Sequence, residues 1–519
     1  MPLPGAVAAG VAYADGAVWV TDPVAGAVWR VDPSGRPAAL RMVATQVGGV
    51  GLAVAGGAVW VASGLDGTVS RVEGSGAGVA RTIDLGYEAL YVASGDDGLW
   101  VALGSAIAPV ATSADGLEPV GAPPCGRLQY RGPGQPDVLV VVDAPLQGVS
   151  RRQARTIADV AGLVLQARGY RAGAWRVGLQ ACDDSTAQSG GWEAERCVAN
   201  MRAYAANRAV VGVIGPYNSG CATLAMPAAS SAPDGPLGVV SPSNNYVGLT
   251  APAPTAPGEL ERLYPGGRRG YVRVFPSDTA LGEASVRLAL DGGARRAAVL
   301  EDRAAGAYAI ELAESYAGAA RRAGLAVALR AGWQPGAASY AALGARLARR
   351  GVDVVFLAGL RQDDAVRLLA DLHAAAPGIQ VVAPDQLAAA DELVDILGVQ
   401  TAPWLHVVTA GLPAGRIAPA WRTLLDTIHR DAYWPPYAAA ATLAMLDAIA
   451  RSDGTRADVA AKLRTTSVPD GPLGAIAFNR SGDVSAPPFT VLRLAPGGTG
   501  LHPERPDFAD GLEVERVLD

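Results

Sequence analysis

Hydrophobic and polar positions follow two different periods along the 519-residue chain. Over the first 120 residues apolar side chains alternate with small or polar ones in short runs. Gly and Asp turns break the runs, which is the pattern of antiparallel strands. From about residue 136 the pattern changes. Val138-Leu139-Val140-Val141-Val142 is continuously apolar, as expected of a strand buried on both faces. A helix is predicted over 153–168, with Ile157, Val160, Ala161, Val164 and Leu165 on one face. Further strands are predicted over 176–181, 210–214, 237–240, 297–300, 325–329, 354–357 and 380–382. Helices between them are predicted over 192–205, 222–230, 308–323, 340–350 and 363–375. Such alternation builds parallel sheets with helices on both faces. A Pro/Gly-rich break over 252–273 divides the run, so two open sheets joined by a hinge are expected. Ligands of open α/β sheets sit at the carboxyl ends of the strands, and two such ends facing each other make a cleft.

The alternating region repeats. Gly16-Ala17-Val18-Trp19-Val20 recurs as Gly57-Ala58-Val59-Trp60-Val61 and again as Gly98-Leu99-Trp100-Val101. The tryptophans stand 41 and 40 residues apart. Each copy follows a short apolar strand (11–14, 52–55, 90–93) and precedes another, clearest over 27–32 and 68–72. Four short strands in roughly 40 residues is the period of a β-propeller blade. The repeat resembles the blades of bacterial surface propellers of the NHL/YVTN type. About three blades are present, whereas rings usually close with four to eight. The favoured expectation is that further blades lie upstream of Met1; a second copy completing the ring, or blades that cap something else, are the alternatives. Residues 512–518 alternate like an edge strand and are expected to return to this domain.

Composition narrows the class. Half of the residues are hydrophobic and 18% are charged, so the chain folds rather than staying disordered. The net charge of -6, with no clustered basic face, argues against nucleic acid. No apolar run is long enough for a membrane span. The N-terminus lacks the basic start and apolar core of a signal peptide. Yet Cys125, Cys182, Cys197 and Cys221 form an even, clustered set that suits two disulfides and an oxidising compartment; buried thiols are the alternative. A zinc site is disfavoured, because there is no Cys-x-x-Cys pair and His373, His406, His429 and His502 lie far along the chain. Extracytoplasmic placement then requires an export signal or anchor that this sequence does not contain.

The strand ends carry the candidate chemistry. After 210–214 comes Gly215-Pro216-Tyr217-Asn218-Ser219-Gly220, a Gly-rich turn that opens a helix. Its free N–H groups and the Ser219 hydroxyl suit a carboxylate. After 237–240 comes Ser241-Pro242-Ser243-Asn244-Asn245-Tyr246, which supplies donors and acceptors. Gln147 follows the first strand, and Asp385 follows the strand 380–382, where an acid suits an ammonium group.

These residues resemble the type I periplasmic binding proteins, specifically the branched-chain amino-acid substrate-binding family of ABC importers. The resemblance spans roughly residues 137–494. It rests on Pro145-Leu146-Gln147-Gly148, Asp183-Asp184-Ser185-Thr186, Ile214 to Ser219, and Ser241-Pro242 through Thr250. It continues through Arg273-Val274-Phe275-Pro276-Ser277-Asp278, Pro384-Asp385 and Asp470-Gly471-Pro472-Leu473-Gly474 to Asp483. The resemblance implies that Ser219, beside Asn218, binds a ligand carboxylate. It implies that Ser243, beside Asn244, takes the ammonium through its carbonyl, that Asn245 replaces a threonine touching both groups, and that Asp385 pairs with the ammonium. Two second-lobe tyrosines of the family are missing: Gly306 and Leu360 stand at their places, with Tyr308 and Arg361 nearby. Arg361 suits a second ligand carboxylate, or is a surface charge. Tyr433 and Trp434 form an aromatic wall near the hinge, or pack it. For Ser219 and Asp385 the alternative is helix capping.

The implied architecture is an α/β two-lobed type I fold over 136–495, preceded by an all-β domain of about three propeller-like blades over 1–120 and a linker over 121–135. The first lobe takes about 136–275 and 410–465, and the second about 276–405 and 470–495. A tail covers 496–519. No nucleophile elbow, zinc-binding helix or phosphate loop is present, which points to a binding protein without cofactor rather than an enzyme. The expected ligand is an amino acid or small carboxylate, with an ABC permease as partner. The alternative is a sensor whose lobe closure is read by the propeller or an upstream domain.

Overall fold

A computed structural model describes residues 7–33, 40–45, 49–63, 68–75, 78–85, 89–95, 98–103, 106–110, 120, 125–186, 189–359, 365–384, 403–428, 433–494 and 512–518. Its contacts divide the chain into two compact units. One holds Met1–Gly148 and Arg168–Val211; the other holds Val149–Ala167 and Gly212–Asp519.

In the first unit the alternating residues form antiparallel meanders. Strands β1 (Val11–Ala14), β2 (Ala17–Asp22), β3 (Ala27–Val31) and β4 (Leu40–Ala44) make one four-stranded sheet. Strands β5 (Gly49–Ala55), β6 (Ala58–Ser63), β7 (Thr68–Glu73) and β8 (Val79–Asp84) make the next. Strands β9 (Ala89–Gly95), β10 (Gly98–Leu103) and β11 (Ala106–Val110) make a third. Because the side-chain period is two, each sheet shows its successive neighbours different residues. Trp19 is fully buried with Val28 and Val43 against Val59, Val61 and Val72 of the second sheet. Trp60 is buried in the same way against Ala89, Val92, Leu99 and Val101 of the third. Both indoles donate to the end of the preceding strand, Trp19 Nε1 to Ala14 O (3.3 Å) and Trp60 Nε1 to Ala55 O (3.1 Å). The sequence repeat is therefore a structural repeat.

Registered rows cross these sheets. Val54, Val59, Val72 and Val79 form one row of the second sheet. The corresponding row of the first sheet is Tyr13, Val18, Val31 and Leu40, and beside it runs Val11, Val20, Trp29 and Met42.

The α/β part of this unit begins at β12 (Val138–Ala144), whose seven residues are all buried. It pairs in parallel with β14 (Trp175–Asp183), which also carries the short antiparallel strand β13 (Arg171–Ala172). A small hairpin, β15 (Ser185–Thr186) and β16 (Gly191–Trp192), leads into a helix, Ala194–Ala206. The expected linker is pinned in part. Cys125 and Gln129 bridge to Cys182 and Leu179 of β14, and Cys125 is disulfide-bonded to Cys182 across 57 residues. Cys197 and Cys221 are also in disulfide linkage, so the sequence-based expectation of oxidised cysteines is met and no free thiol is present.

In the second unit, helix Arg151–Ala167 buries Ile157, Val160, Ala161, Val164 and Leu165, the predicted face. The strand β17 (Val210–Ile214) runs into this unit at Gly212 and pairs in parallel with β18 (Gly238–Ser241), which pairs with β19 (Tyr271–Arg273). A seven-stranded sheet follows. Its strands are β20 (Arg296–Asp302), β21 (Ala326–Trp333), β22 (Val354–Ala358), β23 (Gln380–Pro384) and β24 (Leu405–Ala410), with β27 (Phe489–Leu494) and β28 (Leu512–Leu518) at one edge. The order is β21-β20-β22-β23-β24-β27-β28. The first five are parallel, and β27 and β28 are added antiparallel. The hairpin β25 (Ser467–Gly471) and β26 (Gly474–Ala477) lies between β24 and β27 in the chain.

The C-terminal alternation thus marks a strand, as expected, but not one that joins the repeats. Its partner is β27, with Val491 opposite Arg516 and Leu494 opposite Leu512. Alternation specifies a half-buried strand and says nothing about which edge receives it.

Candidate functional site

The turn after β17 comes first. Helix Ser219–Ser230 starts three residues earlier than its pattern predicts, with the Ala222 N–H already bonded to Asn218 O at 3.0 Å. Ser219 is therefore the first helical residue. Asn218 caps the helix in an extended conformation, but its side chain makes no cap hydrogen bond, and its Oδ1 is buried without a partner. The N–H groups of the first turn have no partner within the helix, and they lie at its positive end. The Ser219 hydroxyl lies among them, 3.5 Å from Asn245 Oδ1, and accepts from the Tyr246 N–H at 3.5 Å.

The turn after β18 is braced against the first. Ser241 Oγ accepts from the Ser243 and Asn244 N–H groups (3.2 and 3.0 Å) and donates to Pro216 O (3.2 Å). Ser243 Oγ donates to Tyr217 O at 2.7 Å. Asn244 is fully buried. Its amide donates to Pro216 O and Tyr217 O (3.1 and 2.9 Å), and its carbonyl accepts from the Tyr271 hydroxyl at 2.9 Å. Protein groups thus occupy its side chain, which holds two strand-end turns in fixed relation.

Beneath this turn lies Arg273, whose side chain is wholly buried. Its Nε donates to Asp483 (2.6 Å), Nη1 to Tyr246 O (2.6 Å), and Nη2 to Thr250 Oγ1 (2.7 Å). A buried guanidinium persists only when paired and hydrogen-bonded throughout. Here it fixes the backbone on the far side of Asn245.

Asn245 is the convergence point. Its Nδ2 donates to Asp278 Oδ1 at 2.9 Å and approaches the Tyr308 hydroxyl at 3.4 Å. Its backbone carbonyl accepts from the Asp278 N–H at 2.9 Å. Asp278 opens helix Asp278–Asp291, behind a Ser277 cap that accepts from the Ala280 N–H. Tyr308 stands in the first turn of helix Ala307–Ala323, which follows β20 of the seven-stranded sheet. Gly306 just before it has φ 55° and ψ -130°, a conformation that favours glycine. Where a tyrosine is missing at 306, the one two residues later reaches Asn245. Asn245, Phe275 and Asp278 also line a small cavity with Ala410 and Phe489 of the seven-stranded sheet.

An aromatic group adjoins these turns. Trp434 meets Tyr217 at 5.3 Å, Phe275 at 5.7 Å and Tyr433 at 5.0 Å between ring centroids. Phe275 also lies 4.8 Å from Tyr437. Phe275 and Tyr437 are buried, while Tyr217, Tyr433 and Trp434 keep part of their surface exposed. Apolar walls with a few fixed polar groups are the usual make-up of small-molecule sites.

Gln147 belongs to the first unit. Its amide donates to Asp183 Oδ2 at 2.7 Å and its N–H to Ser185 Oγ at 3.0 Å. Arg361 and Asp385 lie outside the described residues. The structure brings Ser219, Ser243, Asn245, Tyr308, Tyr433 and Trp434 into one unit. It adds Asp278, Tyr217 and Phe275, which sequence reasoning did not select as ligand contacts. Asp278 had a signal: Ser277-Asp278 after the strand Tyr271–Arg273 is both a helix start and a strand end.

No family model matches the chain, and no curated protein does. Solved structures do. A substrate-binding protein of an ABC transporter from Desulfitobacterium hafniense aligns with TM-score 0.55 and 19% identity, over 73% of this chain and 99% of its own. A putative branched-chain amino acid ABC transporter protein from Rhodospirillum rubrum gives 0.53 and 18%, over 69% and 97%. A leucine-binding protein from Thermotoga maritima gives 0.52 and 18%, over 74% and 99%. The α/β region has the type I periplasmic-binding-protein fold. At these identities the likeness concerns the fold alone.

Proposed function

We propose that this chain is an extracytoplasmic receptor that captures an amino acid or similar small carboxylate between two lobes and delivers it to an ABC permease. One observation carries the reading. The Asn245 amide, from the turn after β18, stands beside both the Ser219 hydroxyl at a helix N-terminus and the hydroxyl of Tyr308, on the helix that follows β20 of the seven-stranded sheet. A carboxylate at Ser219 gains helix-end N–H groups and a hydroxyl. The carbonyls and carboxylate around Asn245, with Asp385, receive an ammonium group. The part-exposed aromatic rings flank the ligand's apolar portion. A ligand touching both sets of residues favours the closed state by its differential affinity. Neighbours that include substrate-binding and leucine-binding proteins support this reading, and so do the disulfides, which suit an oxidising compartment.

The second reading is a sensor. It is favoured by the three N-terminal antiparallel sheets, which we read as propeller blades and which capture alone does not require.

Thermal-shift screening of amino acids and small carboxylates tests the ligand class. At a concentration about 100 times Kd, binding adds about 2.7 kcal/mol to stability. Ser219→Ala removes a hydrogen bond to a charged group, so affinity falls roughly ten- to a hundredfold. If another ligand class stabilises the protein and no amino acid or carboxylate does, the reading fails. Equal binding by Asp385→Ala removes the ammonium role of that residue.

A further inference from the structure

Among the described residues the repeats leave two sheet faces uncovered, and the faces match. Within the chain one contact is made twice. A tryptophan near the middle of one sheet packs onto the apolar rows of the next: Trp19 onto the second sheet, Trp60 onto the third. Those tryptophans are 0% and 1% exposed. Trp100 holds the same repeat position in the third sheet and is 40% exposed, with Tyr91 beside it at 67%. Tyr91 lies opposite Ala102, two residues from Trp100, so the two rings share a face.

The first sheet shows the converse. In the second sheet, the face that receives Trp19 carries Leu52, Val54, Val59, Val61 and Val72. The corresponding face of the first sheet carries the two rows described above, from Tyr13 to Leu40 and from Val11 to Met42. All eight residues are apolar, and no charge interrupts them. Val11, Tyr13 and Met42 are 71%, 67% and 55% exposed. Contiguous apolar surface of this kind marks an interaction site.

We propose that the third sheet of one copy docks on the first sheet of a second copy, and the reverse, so that two chains close six sheets into one ring. The occupant follows from the repeat. The exposed tryptophan face is built to meet a first-sheet-like surface, and among the described residues one such surface is uncovered. The new contact continues the two internal ones, with the same residue types in the same register positions. A head-to-tail contact must close or polymerise. Six sheets fall within the range in which propeller rings close, and a two-fold axis relates the two new contacts.

The test uses the full chain in sedimentation velocity or light scattering across a dilution series. The expected species is a dimer. Trp100→Glu, or Tyr13→Glu with Met42→Glu, weakens self-association roughly thirtyfold or more, as for a hot-spot aromatic. Mixing the two variants restores one intact contact, so the mixed pair associates more tightly than either variant with itself. All three positions are exposed, so circular dichroism and melting temperature stay near wild type. Hydrogen exchange on unmodified protein gives a second readout: dilution deprotects β1 and β10 together. A wild type that is monomeric throughout overturns the proposal, as it would if further repeats of a longer chain covered the faces. So does a dimer insensitive to either variant. A dimer sensitive only at the first sheet points to like faces pairing and overturns it as well.

Discussion

Arg273→Met should cost the second unit about 3 kcal/mol of stability. The guanidinium side chain is wholly buried, and that of its partner Asp483 is 19% exposed. Three contacts of 2.6–2.7 Å, to Asp483, Tyr246 O and Thr250 Oγ1, disappear together. Breaking a buried pair from one side costs roughly 3–5 kcal/mol, because the remaining charge is left uncompensated. Asp483 keeps some access to water, so the lower end of that range applies. With a urea m-value near 3 kcal/mol/M, the midpoint falls by roughly 1 M. Arg273→Lys keeps the charge but not the planar fork, so it lands between wild type and Met. Asp483→Asn keeps an acceptor for Nε but leaves a wholly buried charge unpaired, so it costs at least as much as Arg273→Met. Urea unfolding followed by circular dichroism reads all three. A midpoint for Arg273→Met indistinguishable from wild type would show that the buried guanidinium braces nothing.

Three other outcomes are expected. Burial, with the charges of Asp143 and Asp183 adding, pushes the Asp184 carboxyl up to about 9; burial likewise raises Asp143 to about 6. In the unfolded chain both titrate near 3.9. Stability from this pair is therefore complete below about pH 4 and is lost as pH rises towards 9, at up to about 1.4 kcal/mol per pH unit for each proton. Asp184→Asn should flatten that fall in a pH series of urea midpoints, and an unchanged slope would refute the buried-acid account. Cys125→Ser opens a disulfide closing 57 residues; the chain-entropy model gives about 4 kcal/mol, read as a lower melting temperature than wild type without reductant, with a further fall in reductant as the Cys197 and Cys221 linkage opens. Trp60→Ala should cost about 3–5 kcal/mol, whereas Trp100→Ala, at the same repeat position but 40% exposed, should cost far less in dilute protein. Equal losses would contradict the burial difference.

Much of the fold was legible because it is written locally. The apolar run at β12, the one-sided helix Arg151–Ala167 and the strand Val210–Ile214 follow from side-chain periodicity alone. The repeat was legible from tryptophan spacing, and the candidate turns from glycine and serine after strands. Asp278 and Phe275 went unselected because their roles depend on what stands opposite them. Arg273 and Asp483 stand in the sequence only as members of two separate motifs that carry the resemblance. They are 210 residues apart, and no local rule pairs them.

The amino-acid sequence by itself determined the kinds of element, their order and the chemistry available at the strand ends. Tertiary structure decided pairing. It placed Leu512–Leu518 beside β27 rather than among the repeats, and brought Tyr308 within reach of Asn245 where position 306 has no side chain. It also buried Trp19 and Trp60 while leaving Trp100 at an open face. The division has a physical cause. Periodicity arises from the geometry of a few consecutive residues, whereas burial and partnership depend on chain-distant surfaces that exist only once the elements have packed.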